Sequence, residues 1–176
     1  MLKKAIVACV LFGLATPARS DDGNDCFAKR GEAAMASCDR VIESAQTSRA
    51  DLATALTNRG QQFYERKEYD RALEDFSASI ALMPKGYPLA YANRGNCYFA
   101  KGDDIKAIEN YSKAIELFPT PHPASHTARG ILYQKAGQLK KARADYEAAL
   151  AGKSKCADDQ WAHDTARERL KAMKAD

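Results

Sequence analysis

The stretch Asn93-Arg94-Gly95-Asn96-Cys97-Tyr98-Phe99 decides the reading of the chain, because its frame is written three times. Asn58-Arg59-Gly60 leads to Phe63-Tyr64, and Ala128-Arg129-Gly130 leads to Tyr133, so the glycines stand 35 residues apart. Ala72, Ala107 and Ala142 keep that interval, as do Phe76, Tyr111 and Tyr146. Pro84 and Pro119 keep it too, with Ser154 where a third proline would fall. Several landmarks in phase at such a period indicate stacked supersecondary units, here pairs of helices.

Working outward, the full units are expected over residues 53–86, 88–121 and 123–156. In each, the glycine and the alanine are small so that two helices can approach closely, and the aromatic residue is expected to be buried on the second helix. The structural core of the repeat is therefore Gly60, Ala72 and Phe76, then Gly95, Ala107 and Tyr111, then Gly130, Ala142 and Tyr146. Pro88 and Pro123 suit the first helical position, where a missing N–H costs nothing. Gly102 and Gly137 suit the turn inside a unit; the first unit has Lys67 there, and its turn should be slightly strained.

Residues 34–43 repeat the pattern of 107–116, so residues 32–52 read as a half-unit, one second helix followed by a lengthened loop. Residues 158–174 read as a lone first helix with Trp161, Leu170 and Met173 on its apolar side and Arg167, Glu168, Arg169 and Lys171 on its outer face. A stack of repeats needs such a polar cap over its last apolar surface.

These residues resemble the tetratricopeptide repeat family, and the Asn-Arg-Gly variant resembles exported repeat proteins of proteobacteria. The resemblance implies an all-α fold, a right-handed α-solenoid of helical hairpins with a C-terminal capping helix. Arginine at 59, 94 and 129 departs from the family's aliphatic residue. Asp75 and Asp145 follow Arg59 and Arg129 by sixteen residues, which predicts ion pairs within those units; Arg94 must use Asn110 or the preceding unit's Asp75.

The resemblance also implies a concave groove, lined by first helices, that receives a peptide or protein partner. Its residues would be Thr57, Asn58, Gln61 and Tyr64, then Ala92, Asn93, Asn96 and Phe99, then Thr127, Ile131 and Gln134. Members that clamp a terminal carboxylate use lysine, asparagine and arginine at places held here by Thr57, Gln61, Asn93, Ala124 and Ala128, so a carboxylate clamp is not expected.

Residues 1–20 read as a secretory signal: Lys3 and Lys4, an apolar run from Ala5 to Ala15, and small residues before a cleavage near Ser20. The tetrapeptide Ile6-Val7-Ala8-Cys9 matches a lipoprotein acylation site only superficially, because too few apolar residues precede it. The mature chain, with residues 21–31 as a loose leader, is expected in the periplasm or outside the cell. It would carry 24 basic and 23 acidic residues. That near-neutral balance argues against a nucleic-acid surface. Export allows disulfides to persist, and Cys26 and Cys38, twelve apart, are the expected pair. Cys97 is expected to be a packed thiol, and Cys156 is the odd one out.

Neither a nucleophile nor a proton shuttle stands in a recognisable context. His122 and His126 are four apart, but Pro123 puts His122 outside the helix, which spoils a metal pair. No enzyme activity, metal or cofactor is expected. The reading is a non-enzymatic adaptor; the alternative is a structural or self-associating protein that dimerises through its ends.

Overall fold

The computed structural model describes residues 25–26, 31–83, 85–153 and 157–173. The expected signal, Pro84 and Cys156 lie outside these. Among the described residues there are eight helices of the stack and no strand. They are α1 (Glu32–Glu43), α2 (Arg49–Glu65), α3 (Tyr69–Leu82), α4 (Pro88–Lys101), α5 (Asp104–Leu117), α6 (Pro123–Lys135), α7 (Leu139–Ala151) and α8 (Ala157–Ala172). None of them is long and apolar enough to cross a membrane.

The helices pack as adjacent pairs, α2 with α3, α4 with α5 and α6 with α7. Each pair then lies against the next, α3 on α4 and α5 on α6, while α1 opens the stack on α2 and α8 closes it on α6 and α7. The architecture is an all-α solenoid with a capping helix. Helix α2 begins at Arg49, ahead of the expected boundary at 53, because Ser48 caps it by accepting from the Asp51 N–H at 3.1 Å.

The repeated glycines explain why the pairs pack so closely. A Cβ on Gly60 would lie 2.7 Å from the ring of Phe76, on Gly95 2.8 Å from that of Tyr111, and on Gly130 2.7 Å from that of Tyr146. The nearest neighbour of each glycine is thus the aromatic ring of its partner helix, more than the small alanine that the sequence suggested. Ala72, Ala107 and Ala142 are fully buried beside those rings.

The arginines bind three helices each. Arg59 donates from Nε and Nη2 to both oxygens of Asp75 at 2.8 and 2.7 Å, and from Nη1 to Asp39 at 2.8 Å. Arg129 makes the same fork on Asp145 at 2.9 and 2.7 Å and reaches Ser112 of the preceding pair at 2.9 Å. Arg94 donates to Asn110 at 2.8 Å and to Ser77 at 3.1 Å. Within a unit the pair ties its two helices; the third contact ties unit to unit. Asp39 on α1 takes the place of Ser77 and Ser112, so the half-unit docks as a whole unit would.

Burial works against ionisation of Asp145, but the hydrogen bonds from Arg129 and His126 outweigh it and hold the carboxyl below its ordinary value. His126 Nδ1 lies 3.0 Å from Asp145 Oδ1. Cys26 and Cys38 form a disulfide. Cys97 is a buried free thiol, pushed up to about 12 by desolvation, which leaves it inert at neutral pH.

Candidate functional site

Side chains spaced by three and four on a first helix share one face, and the same positions recur one unit later. Gln61 and Tyr64 from α2, Asn96 and Phe99 from α4, and Ile131 from α6 thereby meet around a cavity of about 390 Å³. Its remaining wall is Tyr111 from α5, Ala124 and Ala128 from α6, and Trp161 from α8. A volume of this order suits one bulky side chain with its flanking backbone.

A second cavity of about 180 Å³ adjoins it and shares Asn96, Tyr111 and Ala124. Leu89, Ala92 and Asn93 of α4 line one side; His122 and Ser125 at the start of α6, with Asp159 of α8, line the other. Here His122 caps α6, its Nδ1 accepting from the Ser125 N–H at 3.3 Å, and its ring stacks on Phe118 at 4.1 Å. Pro123 holds the first helical position beside it.

The Tyr111 hydroxyl donates to Asn96 Oδ1 at 2.8 Å. That contact fixes the amide on the ridge between the cavities. Burial also raises the Tyr111 hydroxyl above its ordinary value, so it stays protonated and remains a donor.

Two residues expected in a groove are buried and line neither cavity. Thr57 is only 4% exposed, its hydroxyl donating to the Ala53 carbonyl at 2.9 Å and lying 2.8 Å from Ser79 Oγ. Thr127 is 0% exposed and donates to the Ala162 carbonyl at 3.1 Å. Both threonines serve the helix contacts instead, since a hydroxyl that bonds a carbonyl can be buried at little cost. Asn58 is half-buried and stands outside these two cavities. Gln134 also stands outside them; it accepts from the Tyr146 hydroxyl at 2.8 Å and lines a shallow depression with Leu139, Arg143 and Met173.

Trp161 is the residue the sequence reading misplaced. Counting by 35 aligned it with Leu56, Tyr91 and His126, on the apolar side of the cap. It is 52% exposed and walls the larger cavity. His126, at the equivalent place, packs toward Asp145 on the following helix, whereas among the described residues no helix follows α8. Ala162 and Ala166, fully buried, bring α8 close to its neighbours, and Trp161 is left over the small residues Ala124 and Ala128. The signal that was available is the Ala162/Ala166 pair at i, i+4, which marks the true contact face. Phe99, 41% exposed, shares the cavity with it.

Comparison with known proteins places this geometry. Residues 88–121 match a family model described as tetratricopeptide repeat, and residues 123–151 match a second model of the same description. No curated protein matches the sequence. Among solved structures the chain is similar to the first repeat domain of Spaghetti (RPAP3), solved with an HSP90 peptide SRMEEVD, at 21% identity and a TM-score of 0.60, over 71% of this chain and 95% of that one. It is similar to MamA at 23% identity and 0.57, over 79% and 70%. The tetratricopeptide domain of Arabidopsis OM64 gives 18% and 0.58, over 69% and 99%. The second and third units are thus tetratricopeptide repeats, and the fold is that of the repeat solenoids.

Proposed function

We propose that this chain, built on tetratricopeptide repeats, is a non-enzymatic adaptor of the cell envelope, exported by its N-terminal signal and holding a peptide or protein partner on its concave face. One observation carries the reading: Tyr64, Phe99, Ile131 and Trp161 face an open cavity on that face. Exposed aromatic side chains such as Phe99 and Trp161 beside an unfilled space supply contact area to a ligand at low entropy cost. The peptide held by the similar domain of Spaghetti supports the same use of the fold. The Cys26–Cys38 bridge supports export, since disulfides persist in oxidising compartments.

The test is crosslinking in cells followed by recovery of the tagged chain. Wild type is expected to capture a partner from the envelope fraction that Phe99→Ser, Asn93→Ala and Trp161→Ser lose. Capture unaffected by all three would end the groove reading. Recovery of the chain in the cytoplasm with residues 1–20 attached would end the export reading.

A further inference from the structure

Resting on that groove reading, we infer that the ligand is an extended internal peptide segment with a fixed direction, its N-terminal side over α2 and its C-terminal side toward α6 and α8. One residue anchors it: a bulky apolar side chain enters the larger cavity, while the N–H and C=O of the same residue are read by Gln61 and Asn96. Three observations lead there.

The first is the setting of two amides. Gln61 and Asn96 stand one repeat apart on α2 and α4, both line the larger cavity, and the two helices touch. The Tyr111 hydroxyl donates to Asn96 Oδ1 at 2.8 Å. Gln61 is set the other way: its Nε2 donates to Glu65 Oε1 at 3.3 Å, and a carboxylate can only accept. Among the described residues, the groups left to the cavity are therefore Asn96 Nδ2, a donor, and Gln61 Oε1, an acceptor.

The second is the group that such a pair matches. In extended backbone the N–H and the C=O of one residue point to the same edge, which is how facing strands exchange both bonds. Along the chain the N–H comes before the C=O. A residue that gives its N–H to Gln61 and accepts from Asn96 on its C=O thus runs from α2 toward α4. Reversed, it would set donor against donor and acceptor against acceptor, and four polar groups would lose their partners.

The third is the apolar wall. Tyr64, Phe99, Ile131 and Trp161 surround the same cavity as the two amides, so the residue whose backbone is read is also the one whose side chain is held. Trp161 belongs to α8, which packs on α6 and α7, and it marks the side of the cavity away from α2.

The chain contains a single tryptophan, so emission from Trp161 reports occupancy of the cavity directly. The experiment titrates the full oxidised chain with acetylated, amidated Gly-Ser-Gly-Ser-Phe-Ser-Gly-Ser-Gly, with its Phe-to-Ala version, and with a version whose Phe N–H is replaced by an ester oxygen. The parent is expected to shift Trp161 emission. Replacing Phe should weaken binding at least about tenfold, as loss of an anchor does, and the ester about fivefold, as loss of one hydrogen bond does. On Gln61→Met the amide and the ester should bind alike. Because that comparison is made between two peptides on one variant, a change in its stability does not imitate the result.

Direction is read with two further peptides that carry a nitroxide in place of the first or the last glycine, each about 13 Å from the anchor in an extended chain. A nitroxide quenches tryptophan only at short range, and the C-terminal label should quench Trp161 the more strongly. Equal binding of amide and ester to wild type, an ester penalty that persists on Gln61→Met, or stronger quenching by the N-terminal label overturns the inference. The groove reading still stands in those cases if Phe99→Ser abolishes partner capture. If no peptide moves Trp161 emission the inference falls, and the groove reading falls with it when partner capture also ignores the groove variants.

Discussion

Among the described residues, the stack opens on a helix with the pattern of a second helix, α1, and closes on one with the pattern of a first helix, α8. Cys38 on α1 aligns with Phe76, Tyr111 and Tyr146, the rings that pack on the glycine of their own first helix. At that place α1 carries a small buried cysteine instead, tied by its disulfide to Cys26 in the helical residues 25–26. At the other end Trp161 on α8 is half-exposed and walls the larger cavity. One end of the described stack is closed covalently by its disulfide, and the other keeps an exposed aromatic ring beside a cavity.

The largest expected effect comes from deleting the cap. Ending the chain after Gly152 would uncover Ala142, Tyr146 and Ala149, which pack with Ala166 and have Leu170 and Met173 beside them. Losing the burial of a tyrosine and several aliphatic side chains should cost about 5 kcal/mol or more in urea unfolding. Hydrogen exchange should show protection lost in α6 and α7 while α2 and α3 keep theirs. An unchanged midpoint would mean that α8 rests on the stack without capping it.

Next come the arginines. Arg129→Leu leaves Asp145 buried without its fork and should cost about 3–5 kcal/mol, whereas Arg94→Leu leaves a neutral Asn110 and should cost about 1 kcal/mol. Equal losses would show that packing, rather than charge, decides. The pH dependence carries a sign. Since the folded Asp145 carboxyl is held below its ordinary 3.8, its contribution is complete above that value and is lost as pH falls through the folded one. Wild type should therefore lose stability below about pH 4 more steeply than Arg129→Leu, measured by acid titration of the unfolding midpoint.

Smaller again is the N-terminal closure. Cys26→Ser with Cys38→Ser, or reduction, should cost about 3 kcal/mol in the chain-entropy model for so short a loop. Exchange should quicken in α1 and the start of α2, and α7 and α8 should not respond. A uniform loss over the whole chain would mean that the stack unfolds as one cooperative body and that the two ends cannot be compared separately.

The helical pairs, their glycines and the Arg59–Asp75 and Arg129–Asp145 ties were legible because each rests on a spacing that repeats. So was the Cys26–Cys38 pairing. Of the residues expected in a groove, Gln61, Tyr64, Asn96, Phe99 and Ile131 line one cavity. Thr57 and Thr127 do not, because a threonine on a first helix reads as solvated surface until its hydroxyl finds a carbonyl that sequence does not reveal. Trp161 was hidden for a related reason. A repeat predicts which way a residue points only while the neighbours that define the direction are present, and at α8 they stop.

The smallest expected effect sharpens the comparison without touching either closure. Lys67, Gly102 and Gly137 all adopt left-handed backbone, φ 63, 78 and 70°, at the turn inside their units. Each turn makes the same bonds: Lys67 N–H to the Tyr64 carbonyl at 2.9 Å, Gly102 N–H to that of Phe99 at 3.0 Å, Gly137 N–H to that of Gln134 at 3.0 Å. The hydrogen bonding dictates the conformation, and only in the first unit does a side chain bear its cost, about 1–2 kcal/mol for an L-residue. Part of that is returned because glycine is more disordered in the unfolded chain. Lys67→Gly should therefore stabilise by about 0.5–1 kcal/mol, and Gly102→Lys should destabilise by a similar amount, both read from urea midpoints. If Lys67→Gly destabilises instead, the lysine side chain holds something on the N-terminal side of the stack, and that end is closed by more than the Cys26–Cys38 disulfide.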